Sequence, residues 1–497
     1  MKRLGVVSAT LGALMMAGCL SDSSSVAGIE GTGSPTTVSG SVTAYGSVYV
    51  NGLHIEIDTA DISVDGQPAG VDDITLGMVV DVELDQLQGQ DAVAAAVRYN
   101  RTLRGPVDAL VSSSDVRREI QILGQTVVVY DDVRFDGIAF DSLEPGAYLE
   151  VSGLVAAEGQ WLATKVASAD RGPLTAQGRV ETWRADQQRF QLGEQSVDVS
   201  QAQVSGDLAE GDTVVVRGGE RRGELWYPDR IELIEPARPQ EGGQWYQEGV
   251  IERFVSREAF EVNGIPVDAS GARGLSDQIE LGEGVRVMVS GTLRNESLVA
   301  ERVQVLRPGI NRIRARVDAI DPDRGEVVLL GGRYQLTDLT AFENPAGRGN
   351  PREGVNLNSL RVGEWLELYA YYEGESRVVT RVQRQPGYVD TVALSGPVTA
   401  IDRDNRWLTV LGVTVAVDGA DGEALFDELA LGDSVSVTGD ASGSHVTARS
   451  LSRRDVPEDV RGCPPPLPGQ CAAATGPSTA AQSTMGPADA ELLQFRF

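Results

Sequence analysis

An eleven-residue pattern, Leu/Ile-x-x-Gly-x-x-Val/Leu-x-Val/Leu-x-Gly, recurs six times, starting at Ile74, Leu143, Leu208, Leu281, Leu360 and Leu429. In each copy a glycine leads into apolar residues at alternate positions: Gly77-Val80-Val82, Gly146-Leu149-Val151, Gly211-Val214-Val216, Gly284-Val287-Val289, Gly363-Leu366-Leu368 and Gly432-Val435-Val437. Alternation at period two, entered through a glycine turn, predicts a strand with one buried face. Four copies close on a second glycine, Gly153, Gly218, Gly291 and Gly439; Leu84 and Ala370 stand there in the other two. The leading glycines are 69, 65, 73, 79 and 69 residues apart, so one small β-domain is used six times.

Two more landmarks keep their order around this strand. An opening Gly-x-Val/Ile appears at Gly40-Val42, Gly105-Val107, Gly178-Val180, Gly249-Ile251 and Gly396-Val398, with Ala315-Val317 as the variant. A central turn follows at Asn51-Gly52, Leu123-Gly124, Leu192-Gly193, Asn263-Gly264, Gly331-Gly332 and Leu411-Gly412. Asn-Gly between alternating apolar residues is the strongest short hairpin signal, because both turn residues need positive φ. The domains this defines are 37–102, 103–170, 171–238, 245–308, 310–386 and 391–453, the fifth carrying an insertion at 341–358.

Each copy holds five short strands in about 65 residues, and a sheet that small wastes least surface by closing on itself. The expected fold is therefore all-β: six tandem five-stranded barrels resembling the oligonucleotide/oligosaccharide-binding (OB) fold, with an open β-sandwich or SH3-like barrel as the structural alternative. The segment between strands three and four, where the OB fold often has a helix, is rich in Asp, Gly and Pro, so that helix is expected to be vestigial or absent.

The ends of the chain differ from the middle. Lys2 and Arg3, the apolar run Leu4 to Met16 and the small residues before Cys19 form an export signal, with 1–18 as the signal peptide. Met16-Ala17-Gly18-Cys19 resembles a bacterial lipobox, which implies that Cys19 is acylated with palmitate and anchors the chain; an ordinary secretory signal with a chance cysteine is the alternative. Leu20, not aspartate, follows it, which by the same resemblance favours the outer membrane of a Gram-negative bacterium. Residues 19–36 read as a tether, with Gly28-Ile-Glu-Gly31-Thr-Gly33 as linker, and 454–497 as a mostly disordered Pro/Ala/Ser-rich tail. Within that tail Cys463 and Cys471 are the expected disulfide, a staple of the tail in an oxidising compartment.

At Lys+Arg 43 against Asp+Glu 72 the net charge is −29, which repels phosphate backbones and argues against nucleic acid as a partner. The lipobox, Gly28 to Gly33, the run Ser39-Gly-Ser-Val-Thr-Ala-Tyr-Gly46-Ser-Val-Tyr-Val-Asn51-Gly52 and the tandem Leu-x-x-Gly pattern together resemble lipoproteins of the domain-of-unknown-function 5666 family. The resemblance covers residues 19 to about 453 and implies a small barrel and an exported lipoprotein; it brings no activity or catalytic residues.

Chemistry-bearing residues are sparse. His54 and His445 sit in motifs that do not recur, which suits surface or strand positions better than a nucleophilic triad. Asp321-Pro-Asp323-Arg-Gly325 and Asp402-Arg-Asp404-Asn405 are weak candidates for a hard cation, but turn chemistry accounts for the same residue types. Trp226 and Trp245 are the candidate ligand contacts, as stacking platforms for a glycan. Neither cofactor nor catalytic residue is expected. The functional expectation is a non-enzymatic cell-envelope lipoprotein, binding or scaffolding multivalently through its repeats, with the outer membrane as anchor and polysaccharide or an envelope protein as candidate partner. The alternatives are a surface adhesin or matrix protein that binds polysaccharide, with or without calcium, and a carboxylate-dependent envelope hydrolase.

Overall fold

The three sequence landmarks meet in space. In the computed structural model, which describes residues 36–45, 47–234, 239–275, 280–344, 354–387 and 390–460, the Gly77 N–H donates to the Val42 carbonyl (2.8 Å) and the Val42 N–H to the Met78 carbonyl (2.9 Å). The same two-bond bridge joins Gly146 with Val107, Gly211 with Val180, Gly284 with Ile251, Gly363 with Val317 and Gly432 with Val398. Each leading glycine has φ between +78° and +94°, a left-handed conformation that residues with a Cβ adopt at a cost. The glycine therefore turns its N–H onto the opening strand, and the alternating strand starts in register. The expected signal peptide, Cys19, the tether and the Cys463–Cys471 pair lie outside the described residues.

In the first copy the barrel is built from Thr36–Ala44, Val48–Val50, Leu53–Glu56, Val79–Gln88 and Asp91–Tyr99, counted here as its five strands, and two further short strands, Asp61–Val64 and Gln67–Pro68, extend the sheet beside the last. The first pairs with the second, the second with the third, the third with the fifth in parallel, the fifth with the fourth, and the fourth with the first. That circuit is a closed barrel, and it excludes an open sandwich for this copy. The same circuit closes in the second, fourth, fifth and sixth copies, whose first strands are Leu103–Ser113, Gln244–Ser256, Asn311–Asp321 and Val392–Asp402. In the third copy the first, fourth and fifth strands are each broken, into Thr175–Arg179 and Glu181–Arg184, Thr213–Arg217 and Glu220–Arg222, and Leu225–Tyr227 and Arg230–Leu233. Gly218-Gly219 and Pro228 cause two of the breaks: Pro228 has no N–H, and a Cβ on Gly219 would stand 1.8 Å from the Tyr227 carbonyl oxygen.

Two hairpin turns differ from expectation by one residue. Leu329 pairs with Gly332, so the fifth copy turns at Leu330-Gly331; Leu192 pairs with Gln195, so the third turns at Gly193-Glu194. The expected helix is reduced to short 3-10 turns at Val71–Asp73, Phe140–Ser142, Leu357–Ser359 and Glu423–Glu428. The fifth-copy insertion begins later than its composition suggests, because Ala341–Glu343 is a strand paired in parallel with Phe342 opposite Val382.

Alternating residues of the fourth strands, such as Val80 and Val82 or Val435 and Val437, are at most 1% exposed and fill the barrel interiors. What orders the barrels is an open edge. The second strand covers only the C-terminal half of the first, so the N-terminal half keeps unpaired backbone groups, which sheets avoid leaving free. The copies cover one another there. The first strand of copy one pairs in parallel with that of copy four (Thr37 opposite Trp245, Ser39 opposite Gln247). Copies two and three pair antiparallel (Ala176 opposite Leu103), as do copies five and six (Ile313 opposite Leu394).

Candidate functional site

The residues singled out from sequence do not gather at one place. Trp226 is 0% exposed and donates its indole N–H to the Gly218 carbonyl at 2.8 Å; Trp245, 2% exposed, belongs to the core of copy four. Both rings fill barrels in a Val-rich chain short of large side chains, which removes them as stacking platforms. Trp407 is the exposed tryptophan, 41% accessible, and its ring meets His445 edge-on at 6.1 Å. His54 Nδ1 lies 3.0 Å from Asp91 and its ring 4.8 Å from that of Tyr49.

The acidic turns are occupied by their own donors. Asp402 Oδ1 accepts the N–H groups of Asp404 (3.1 Å) and Asn405 (3.0 Å), and Oδ2 accepts the Asn405 amide (2.8 Å), which together hold its carboxyl below the usual range. Asp321 accepts the Arg324 N–H at 3.2 Å and lies 3.7 Å from that guanidinium, while Asp323 falls in the same turn. No group of three His, Cys, Asp or Glu side chains suited to a metal occurs among the described residues.

One concavity lies where copies one, two, four and five meet. It encloses about 380 Å³, within the range of small-molecule sites. The linker that leaves copy four at Leu306 and enters copy five at Asn311 runs along it. Asp132 of copy two holds that linker: its Oδ2 accepts the Gly309 N–H at 2.5 Å and the Thr380 hydroxyl at 3.1 Å. Gly309 is required there, since a Cβ would come 2.2 Å from Thr380 Oγ1. Glu343, 4% exposed, is paired with Arg134 of copy two and lies 3.8 Å from Arg381. Arg381 also donates to the Val133 carbonyl and stacks 4.2 Å from the Tyr369 ring. Thr164, also in the lining, donates to the Gly77 carbonyl at 2.7 Å, and behind it Lys165 donates to Thr75 at 2.6 Å, joining copies one and two. Burial pushes the Lys165 ammonium down.

Five arginines line the concavity, Arg134, Arg286, Arg302, Arg307 and Arg381, against three carboxylates, Asp132, Glu343 and Glu373. In a chain of net charge −29 this is a local reversal of sign. They come from three copies, two, four and five, and follow no motif, so the sequence does not single them out.

A second buried cluster lies beside it. Asp131 is 3.5 Å from Arg454, at the point where the chain leaves copy six and docks on copy two. Burial pushes the Asp131 carboxyl up to about 7; Arg454 opposes this, Asp132 adds to it, and Arg312 and Arg381 oppose it. The exit segment is fastened by the Asp115 N–H to the Asp455 carbonyl (3.0 Å), by an Arg117–Asp459 ion pair, and by Val456 packed with Val116 and Ile310.

These features define an all-β protein of tandem barrels that pack on one another. Four stretches, residues 104–167, 248–304, 314–383 and 395–451, match the family described as Domain of unknown function (DUF5666). The copies at 36–99 and 175–233 lie outside the matched stretches. No curated protein matches the chain. A solved structure titled "drosophila Unr CSD456" is similar at 16% identity, over 41% of this chain and 97% of its own, with a TM-score of 0.13.

Proposed function

We propose that the chain is an exported lipoprotein, acylated at Cys19 and held at the outer membrane, in which six OB-like barrels form a non-enzymatic binding and scaffolding body of the cell envelope. One observation carries this reading: the barrels use their open edges on one another, in the pairs one with four, two with three and five with six. Edges covered in this way are closed to added strands from a partner, so the surface offered outward is made of hairpin turns and loops held at fixed spacing. The copies thus favour a preorganised platform over a string of independent weak binders. Its partner is expected to be envelope polysaccharide or another envelope protein, and no cofactor enters.

Palmitate labelling and membrane fractionation of the wild type and Cys19→Ala test the anchor. Label and outer-membrane recovery should disappear together; a Cys19→Ala chain that stays in the membrane sinks that part. Protease shaving of intact cells with a periplasmic control then decides which face carries the body. Turnover of envelope glycan by the purified chain would replace the non-enzymatic reading with a hydrolase.

A further inference from the structure

The concavity between copies one, two, four and five is built like a ligand site as well as a joint. Its arginines are not equally committed to holding the barrels together. Arg134 and Arg381 share Glu343, and Arg286 is held by Glu248. Arg302 lies 3.7 Å from Asp338, at the limit of an ion pair, with 47% of its side chain exposed. Arg307, half-buried on the linker, makes no ion pair or hydrogen bond among the described residues. Two guanidiniums in the lining are therefore available to a negative charge, Arg307 half-buried and Arg302 partly exposed.

Uncharged polar groups line the same space. Gln304, on the strand that also carries Arg302, has its side-chain Oε1 buried without a partner. A buried acceptor left unmet is unfavourable, and a hydroxyl donor would satisfy it. The Tyr371 hydroxyl stands in the field of both Arg307 and Glu373. At about 380 Å³ the space has room for one or two sugar rings and not for a polymer chain in cross-section with its neighbours.

We propose that this concavity binds a small carboxylated sugar, a uronic acid or a short end of an acidic glycan, with its carboxylate on Arg307 and Arg302 and its hydroxyls on Gln304 and Tyr371. The site does not depend on where the protein is anchored or on what its outer loops hold. Three features set the ligand's class: two guanidiniums in one lining select the anion, the orphan acceptor selects a hydroxyl-bearing molecule, and the volume limits its size.

The experiment is calorimetric titration of the full chain in detergent with glucuronate, glucose and inorganic phosphate. Glucuronate should bind at least tenfold more tightly than glucose or phosphate. Arg307→Ala and Arg302→Ala should each lose tenfold or more with unchanged thermal unfolding; Arg302 is exposed enough that its removal leaves the fold intact. Absent glucuronate binding, equal binding of glucose, tighter binding of phosphate, or full affinity in the Arg302→Ala variant would each overturn the proposal.

Discussion

Ser41 and Glu248, 207 positions apart, meet across the seam between copies one and four: the Ser41 N–H and hydroxyl both donate to Glu248 Oε2, at 2.7 and 2.9 Å. The other carboxylate oxygen takes Arg286 Nε at 2.7 Å, so one side chain, 3% exposed, ties two strands of its own barrel to the neighbouring one. Removing one member of a buried pair leaves the other uncompensated, at a cost of about 3–5 kcal/mol. Glu248→Ala should fall toward the lower end, because the Arg286 side chain keeps 26% exposure. Urea unfolding measures this, and a loss below about 1 kcal/mol would show that the seam is held by backbone pairing alone.

The leading glycines offer an internal comparison. Gly77 and Gly146 hold the same motif position and similar positive φ, +78° and +92°. A Cβ on Gly77 would lie 2.6 Å from the Thr164 carbonyl oxygen of copy two, whereas Gly146 has nothing within 4 Å. Gly146→Ala should cost about 1 kcal/mol, from backbone conformation. Gly77→Ala should cost clearly more, since it forces copies one and two apart. Equal melting temperatures for the two variants would mean that this contact is dispensable.

Trp226 supports the third copy from inside. Trp226→Phe keeps an aromatic ring but loses the indole N–H bond to Gly218, and should destabilise by about 1–3 kcal/mol with no change in glycan affinity. Trp226→Ala should cost about 3–5 kcal/mol. A loss of glycan binding in a Trp226→Phe chain of normal stability would return this residue to the ligand.

Asp131 gives the protein a pH-dependent joint. Its carboxyl is raised to about 7 by burial in the folded chain, so between about 4 and about 7 the folded state binds the proton more tightly than the unfolded one. Stability from this group is present below about 4 and is lost as pH rises through about 7. Relative to Asp131→Asn, which does not titrate, the wild type should weaken between pH 5 and pH 8. A constant difference between the two across that range would show that Asp131 does not titrate there.

The local rules of the chain could be read without any structure. Period-two alternation placed the fourth strands, and Val80, Val82, Val435 and Val437 are buried as that pattern requires. The glycines at +φ and the Gly-x-Val openings were also legible, because backbone sterics act over a few residues. One-residue errors at Leu330-Gly331 and Gly193-Glu194 arose where adjacent glycines or a neighbouring leucine left two registers open; cross-strand pairing chose between them. Only the tertiary structure decided that copy one pairs with copy four and not with copy two. Ser41, Glu248 and Arg286 carry no periodic signal, and their meeting depends on edges and charges brought together from distant parts of the chain. The same holds for Trp226 and Trp245, which composition alone could place inside or out, and for the five arginines around the concavity. Backbone conformation is fixed by near neighbours, whereas burial, seams and sites are fixed by which surfaces remain to be covered once each barrel has closed.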